Sequence, residues 1–185
     1  MPVRPLRIPR APPGMPRRLR GWYVIVATLV SAIIAAVPMC PVHDRQGRPL
    51  WRVDYVHDGD TVTCIDERNQ PRKIRLVGID APEMEQPFGR ESRAALVEKL
   101  AGGRVRVEGD ARDQHGRLLG TLWVDDRDVN RELVADGWAW VFGGFSPAPD
   151  LLDAESAARA ARRGLWAGDH PQQPADWRRN HPPHR

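Results

Sequence analysis

The sequence predicts a mainly β, α+β domain: a five-stranded OB-fold barrel with three helices, preceded by an N-terminal hydrophobic helix. Three observations lead there. Short β-prone runs, five in number, lie between residues 50 and 124. A helical pattern separates the third from the fourth, the order found in an OB barrel. Two more helical stretches follow, and 185 residues suit one such domain with appendages.

Residues 1–20 are rich in proline and arginine and predict a disordered basic tail. Gly21 to Met39 then reads GWYVIVATLVSAIIAAVPM, without a charge. A basic flank before an apolar run is the pattern of an export signal or a membrane anchor. The run is long for a cleaved signal and just sufficient for a spanning helix. No A-x-A site follows it, and Val37-Pro38-Met39 before Cys40 makes a poor lipoprotein signal. Trp22 and Tyr23 stand where an interfacial belt holds aromatics. An uncleaved anchor is favoured over a cleaved signal. In either case the arginines stay in the cytoplasm and the remainder is exported, anchored at the periplasmic face of the inner membrane or secreted.

The folded domain is expected over residues 45–167. Leu50 to Tyr55 and Thr61 to Ile65 are strands, and Asp58-Gly59 between them is a strong hairpin signal. Arg68 to Pro71 turn the chain again. Lys73 to Ile79 is the third strand, Ile74 and Leu76 alternating with Lys73 and Arg75. Gly89 to Leu100 is a helix with Ala94, Leu96, Val97 and Leu100 on one face, stopped by Gly102-Gly103. Arg104 to Glu108 and Leu118 to Val124 are the last strands, joined by a polar loop at 110–117. Val129 to Asp136 is a short helix closed by Gly137, Trp138 to Phe142 is apolar and aromatic, and Asp150 to Arg163 is an Ala-rich helix ended by Gly164. Residues 168–185 are rich in Pro, Gln, His and Arg and predict a second disordered tail.

Charge narrows the function. The net charge is +4, but residues 1–44 hold six arginines against Asp44 alone, leaving 22 basic and 23 acidic residues from position 45 onward. The body therefore lacks the broad basic footprint of a polyanion-coating protein. Phosphate binding must come from a few placed arginines, which grip phosphate bidentately, or from a metal. Two cysteines make neither a disulfide framework nor a zinc site, and Cys64 reads as a small buried hydrophobe.

Five side chains stand out on strand ends and loops: Asp60, Arg75, Asp80, Glu83 and Arg117. Taken singly, Asp60 is a turn aspartate, Asp80 a turn or cap residue, Glu83 a loop glutamate, and the arginines solvated. Taken together they suit one task. If the first three strands are neighbours, Asp60 and Asp80 share a rim, and a hard divalent cation between them relieves their repulsion, with the Ala81 carbonyl completing the set. Arg75, opposite Ile74 and Leu76, should face a surface or cleft. Gly116 lets a ligand approach Arg117 closely. Glu83, after the rigid Pro82, is positioned to act as a general base. Cleaving a phosphodiester needs a cation, positive donors and a base for water.

At these residues the chain resembles the staphylococcal nuclease (thermonuclease) family. The matching stretches are Asp58-Gly59-Asp60-Thr61, Arg75 through Glu83, Asp113 through Leu118, Val129-Asn130-Arg131-Glu132-Leu133-Val134 with Gly137, and Arg163-Gly164-Leu165-Trp166. The resemblance implies that Asp60, Asp80 and the carbonyl of Ala81 bind Ca2+, that Arg75 and Arg117 clamp the scissile phosphate, and that Glu83 is the general base. It implies hydrolysis of DNA or RNA, water attacking phosphorus and the 5′ oxygen leaving, to give 3′-phosphates; a monomer is expected. Where this chain has Ala81, His115 and Gly143, a well-known member has threonine and two tyrosines, with another tyrosine near Phe145. Phe145 and Trp140 are the expected substitutes for base stacking, and the shorter Met84–Phe88 segment is expected to widen the cleft. The alternative is a catalytically inactive OB-fold module that only binds nucleic acid. Retention of both aspartates, both arginines and Glu83 argues against it.

Overall fold

The computed structural model describes residues 16, 19, 22, 23, 25, 26, 42–142, 144 and 148–182. The chain divides into two compact units, Met1–Cys40 and Pro41–Arg185. In the first, Leu19, Trp22, Tyr23, Ile25 and Val26 are helical. Among the described residues, no helix is long and apolar enough to cross a membrane. Most of the apolar run at 21–39, Cys40, Gly143 and Phe145 lie outside the described residues.

The second unit is built from β1 (Val42–His43), β2 (Pro49–Val56), β3 (Thr61–Ile65), β4 (Pro71–Leu76), β5 (Ile79–Asp80), α1 (Gly89–Lys99), β6 (Arg104–Glu108), β7 (Leu118–Val124), β8 (Arg127–Asp128), α2 (Val129–Ala135), β9 (Trp140–Val141), α3 (Pro149–Ala160), a 3₁₀ turn (Gly164–Ala167) and α4 (Pro174–Asn180). Strands β2, β3, β4, β7 and β6 pair in that order, and β6 returns to β2, closing a five-stranded barrel. All pairings are antiparallel except β4 with β7. A bulge between Val53 and Tyr55 bends β2, which lets it pair with β3 at one end and β6 at the other. This is the predicted OB barrel, with α1 joining its third and fourth strands.

The alternation seen in the sequence is the barrel's inside and outside. Val62, Cys64, Ile74, Leu76, Val105 and Leu122 are fully buried, and α1 and α2 add Leu96, Leu100, Val129, Leu133 and Val134. Each such aliphatic side chain contributes roughly 1.5–3 kcal/mol on burial. Cys64 is the small buried hydrophobe expected; burial, with Asp54 adding to it, pushes its thiol up to about 12, so it stays protonated. A second cluster joins Trp140, Ala158, Leu165 and Trp166, with Phe88 against it.

Asn130 ties the barrel to α2. Buried, it donates to the carbonyls of Val77 (3.0 Å) and Gly120 (3.3 Å) and accepts from Leu122 N–H (3.2 Å). Asn130→Ala strips three backbone groups of this partner without admitting water. It is expected to cost about 2–4 kcal/mol, read in urea as a lowered midpoint at constant m.

Three expectations about elements are corrected. The third strand does not run unbroken to Ile79; it stops at Leu76, turns at Gly78 in the left-handed region (φ 78°), and resumes as β5 paired with β9. On α1, Ala94 and Val97 are exposed, and the buried stripe is Ser92, Leu96 and Leu100. Ser92 can be buried because its hydroxyl donates to Trp138 O at 2.7 Å. Finally, the expected disordered tail from 168 holds helix α4, started by the buried Pro174 in its first turn.

Candidate active site

The site grows from three strand ends. In the β2–β3 hairpin, Asp58 accepts from Asp60 N–H (3.0 Å), which sets the turn. Gly59 follows from packing: a side chain there would collide with Ser92 Oγ and Ala81 Cβ. This close approach brings Asp60 against the Ala81 peptide, whose N–H donates to Asp60 Oδ2 at 2.7 Å. The Thr61 hydroxyl donates to Oδ1 at 3.0 Å. Register pairs Thr61 with Arg75, so β4 delivers the arginine beside Asp60.

Arg75 is the centre of the cluster. Its guanidinium lies 3.0 Å from Asp60 Oδ2 and 2.8 Å from Asp80 Oδ1, and donates to the carbonyls of Leu76 (3.1 Å) and Ile79 (2.9 Å). Its side chain is only 15% exposed. The left-handed turn at Gly78 is what folds Asp80 back onto it. The two aspartates, twenty positions apart in sequence, thus converge on one guanidinium while both are buried.

Glu83 is more open, at 40% exposed. Its N–H donates to Gln86 Oε1 (3.2 Å) and its carbonyl accepts from Gln86 N–H (2.9 Å), a turn that fixes the loop before α1. Arg178 of α4 closes the cluster. It lies 2.9 Å from Asp80 Oδ2 and 2.7 Å from Glu83 Oε1, and donates a longer bond (3.3 Å) to Asp80 Oδ1. These contacts hold the guanidinium in its protonated form more firmly than usual despite partial burial.

Arg117 lines the same cleft but is held by a different partner. Its Nε donates to Asp113 Oδ2 at 2.7 Å, and Asp113 Oδ1 accepts from the N–H groups of His115 and Arg117, both at 2.9 Å. Burial works against the Asp113 carboxylate, yet the Arg117 hydrogen bonds and charge outweigh it and hold its pKa below the usual range. The cleft encloses about 1270 Å³ and is lined by all the predicted residues: Asp60, Arg75, Asp80, Ala81, Glu83 and Arg117.

Burial pushes the Asp60 carboxyl up to about 7; Arg75 opposes this, while Asp58 and Asp80 add to it. Asp80 is met by two guanidinium groups, Arg75 and Arg178, whereas Asp60 is met by Arg75 alone. Among the described residues, no three His, Cys, Asp or Glu side chains cluster as a metal site. The donors available are therefore two carboxylates with a neighbouring peptide, oxygens that fit a hard divalent cation better than a soft one.

One expected role fails. Trp140 is 3% exposed and packs edge-to-face on Trp166 (5.4 Å), so it cannot stack on a base. Among the described residues, Phe142 is an exposed aromatic side chain on the cleft wall. Sequence reasoning missed it, together with Gln86 and Arg178. The faint signal for Arg178 was Pro174 opening a short Trp-Arg-Arg segment.

Comparison with known proteins agrees with this geometry. Residues 73–168 match the family described as staphylococcal nuclease homologue. An uncharacterized endonuclease of Haemophilus influenzae is 38% identical over 155 residues, covering 84% of this chain and 85% of that one. One from Escherichia coli O157:H7 is 41% identical over 128 residues, covering 69% and 83%. A probable staphylococcal-like nuclease of Oryza sativa subsp. japonica is 40% identical over 121 residues, 64% of this chain but 33% of the longer plant protein. The β4–β5 rim, the Glu83 loop and the Asp113–Arg117 turn all fall inside the matched segment, and on that agreement the chain belongs to the staphylococcal nuclease homologue family.

Proposed function

We propose that the chain is an exported, calcium-dependent nuclease that hydrolyses phosphodiester bonds of DNA or RNA. The observation that carries this reading is the convergence of buried Asp60 and Asp80 on Arg75, in a cleft that also holds Glu83 and Arg117. Family membership and relatives named as endonucleases support the nuclease class. Export rests on the basic flank and uncharged run of residues 21–39.

Asp60, Asp80 and the Ala81 carbonyl would hold the calcium ion, which when bound supplies positive charge to a non-bridging phosphate oxygen. Arg75 and Arg117 would take the remaining phosphate oxygens from two walls of the cleft and stabilise the charge that develops on them. Glu83, the most exposed carboxylate of the cluster, would accept a proton from water as the water oxygen bonds to phosphorus. The bond from phosphorus to the 5′ oxygen would break, the departing oxygen taking a proton from solvent, to leave a 3′-phosphate and a 5′-hydroxyl. Phe142 offers one aromatic face to a base.

Plasmid digestion tests the proposal. Cutting is expected with calcium and is expected to stop in EGTA. Glu83→Gln and Arg117→Ala should each slow cutting about 10²–10³-fold with calcium present. Full activity in both variants would remove their assigned roles. Oligonucleotide binding without any cutting would favour the binding module instead.

A further inference from the structure

The family match ends at residue 168, yet a guanidinium that holds two carboxylates of the cleft lies beyond it. Arg178 forks across both oxygens of Asp80 and reaches Glu83 with the same guanidinium. In the reading above, the first is a cation ligand and the second the base. We propose that the segment Gln172–Asn180 is an internal competitor of the divalent cation, with Arg178 on the Asp80–Glu83 edge in the cation-free enzyme and released when the cation binds. This inference rests on the calcium-dependent reading of the site.

Charge supports exchange over co-existence. Asp60, Asp80 and Glu83 face Arg75 and Arg178, three negative groups against two positive. Among these directly paired groups, a divalent cation added to the set leaves one excess positive charge, whereas its exchange for Arg178 leaves them neutral. Like charges this close oppose each other strongly.

The attachment of the segment is also light enough to reverse. Helix α4 has seven residues, and Trp177 stacks on His181, the residue just after the segment (3.8 Å). Pro174 is buried, and Gln86 Nε2 donates to Gln172 O at 2.6 Å. Elements held by so few buried contacts open at low cost. Gln86 is the clasp: the side chain that holds Gln172 also accepts from Glu83 N–H. Release of the segment would therefore be felt at the base loop.

The test uses the purified full-length chain and calcium chloride, with no substrate. Calcium affinity is measured by titration calorimetry for wild type, Arg178→Gln and Arg178→Lys. Arg178→Gln is expected to bind calcium about tenfold more tightly, with Arg178→Lys, which keeps the charge but loses the fork, in between. In wild type, calcium is expected to speed tryptic cleavage after Arg178, scored by mass spectrometry, because trypsin must take that side chain out of its ion pairs. This arm and Arg178→Lys decide the matter even if Arg178→Gln does not fold. Equal or weaker calcium binding by the variants, or protection of the Arg178 bond by calcium, would overturn the exchange while leaving the calcium site intact. Absence of calcium binding in every form would overturn the calcium reading itself, and the exchange with it.

Discussion

Arg75→Gln is expected to abolish cutting and to loosen the fold at the same time. The arginine holds two buried carboxylates and two backbone carbonyls. Removing one partner of a buried ion pair costs about 3–5 kcal/mol, chiefly because the surviving charge stays buried and unpaired. In the proposed function the same guanidinium holds the phosphate, so the rate should fall about 10³-fold or more. Urea denaturation in EGTA reads the first effect and single-turnover cleavage in calcium the second. Saturating calcium should recover part of the stability by mass action and little of the rate. A variant as stable as wild type in EGTA would show that Asp60 and Asp80 do not depend on Arg75.

Asp60→Asn should separate stability from activity in the opposite sense. The Asp60 carboxyl is pushed from 3.8 to about 7 in the folded protein, burial being the largest cause. Between those two values the folded state keeps a proton that the unfolded state has released. Cation-free stability therefore falls as pH rises from about 4 to about 7 and stays low above that. Asparagine holds the neutral form at every pH and keeps an oxygen for the Ala81 N–H. In EGTA at pH 8 the variant should be more stable by on the order of 2–4 kcal/mol, each kcal/mol raising Tm by about 2–4 °C. The gain should vanish near pH 4. Calcium-dependent cutting should fall by about three orders of magnitude, the scale of a lost metal contribution to the transition state. No gain in Tm at pH 8 would mean that Arg75 already satisfies Asp60.

These two variants turn on residues that were legible before any coordinates. The barrel strands were readable because alternation such as Lys73-Ile74-Arg75-Leu76 is local, and the burial of Ile74 and Leu76 follows from it. Asp58-Gly59 announced the hairpin in the same way. The cleft residues were legible as a set: Asp60, Arg75, Asp80, Glu83 and Arg117 all line it. Less legible was whatever depended on a distant neighbour. Ser92 displaced Ala94 and Val97 from the buried face of α1 because a carbonyl of Trp138 was there to receive its hydroxyl. Trp140 was lost as a stacking surface because Trp166 covers it.

The chain's own order of residues was enough for the barrel, three of its helices and the set of charged residues that line the cleft, since alternation, turn signals and clustered charged groups act over a few positions. Which carboxylates share a guanidinium, how far burial raises Asp60, and that Arg178 sits against Asp80 and Glu83 came from the folded chain alone. Those are contacts between segments far apart in sequence, and a charge's energy depends on the water and partners that folding removes or brings near.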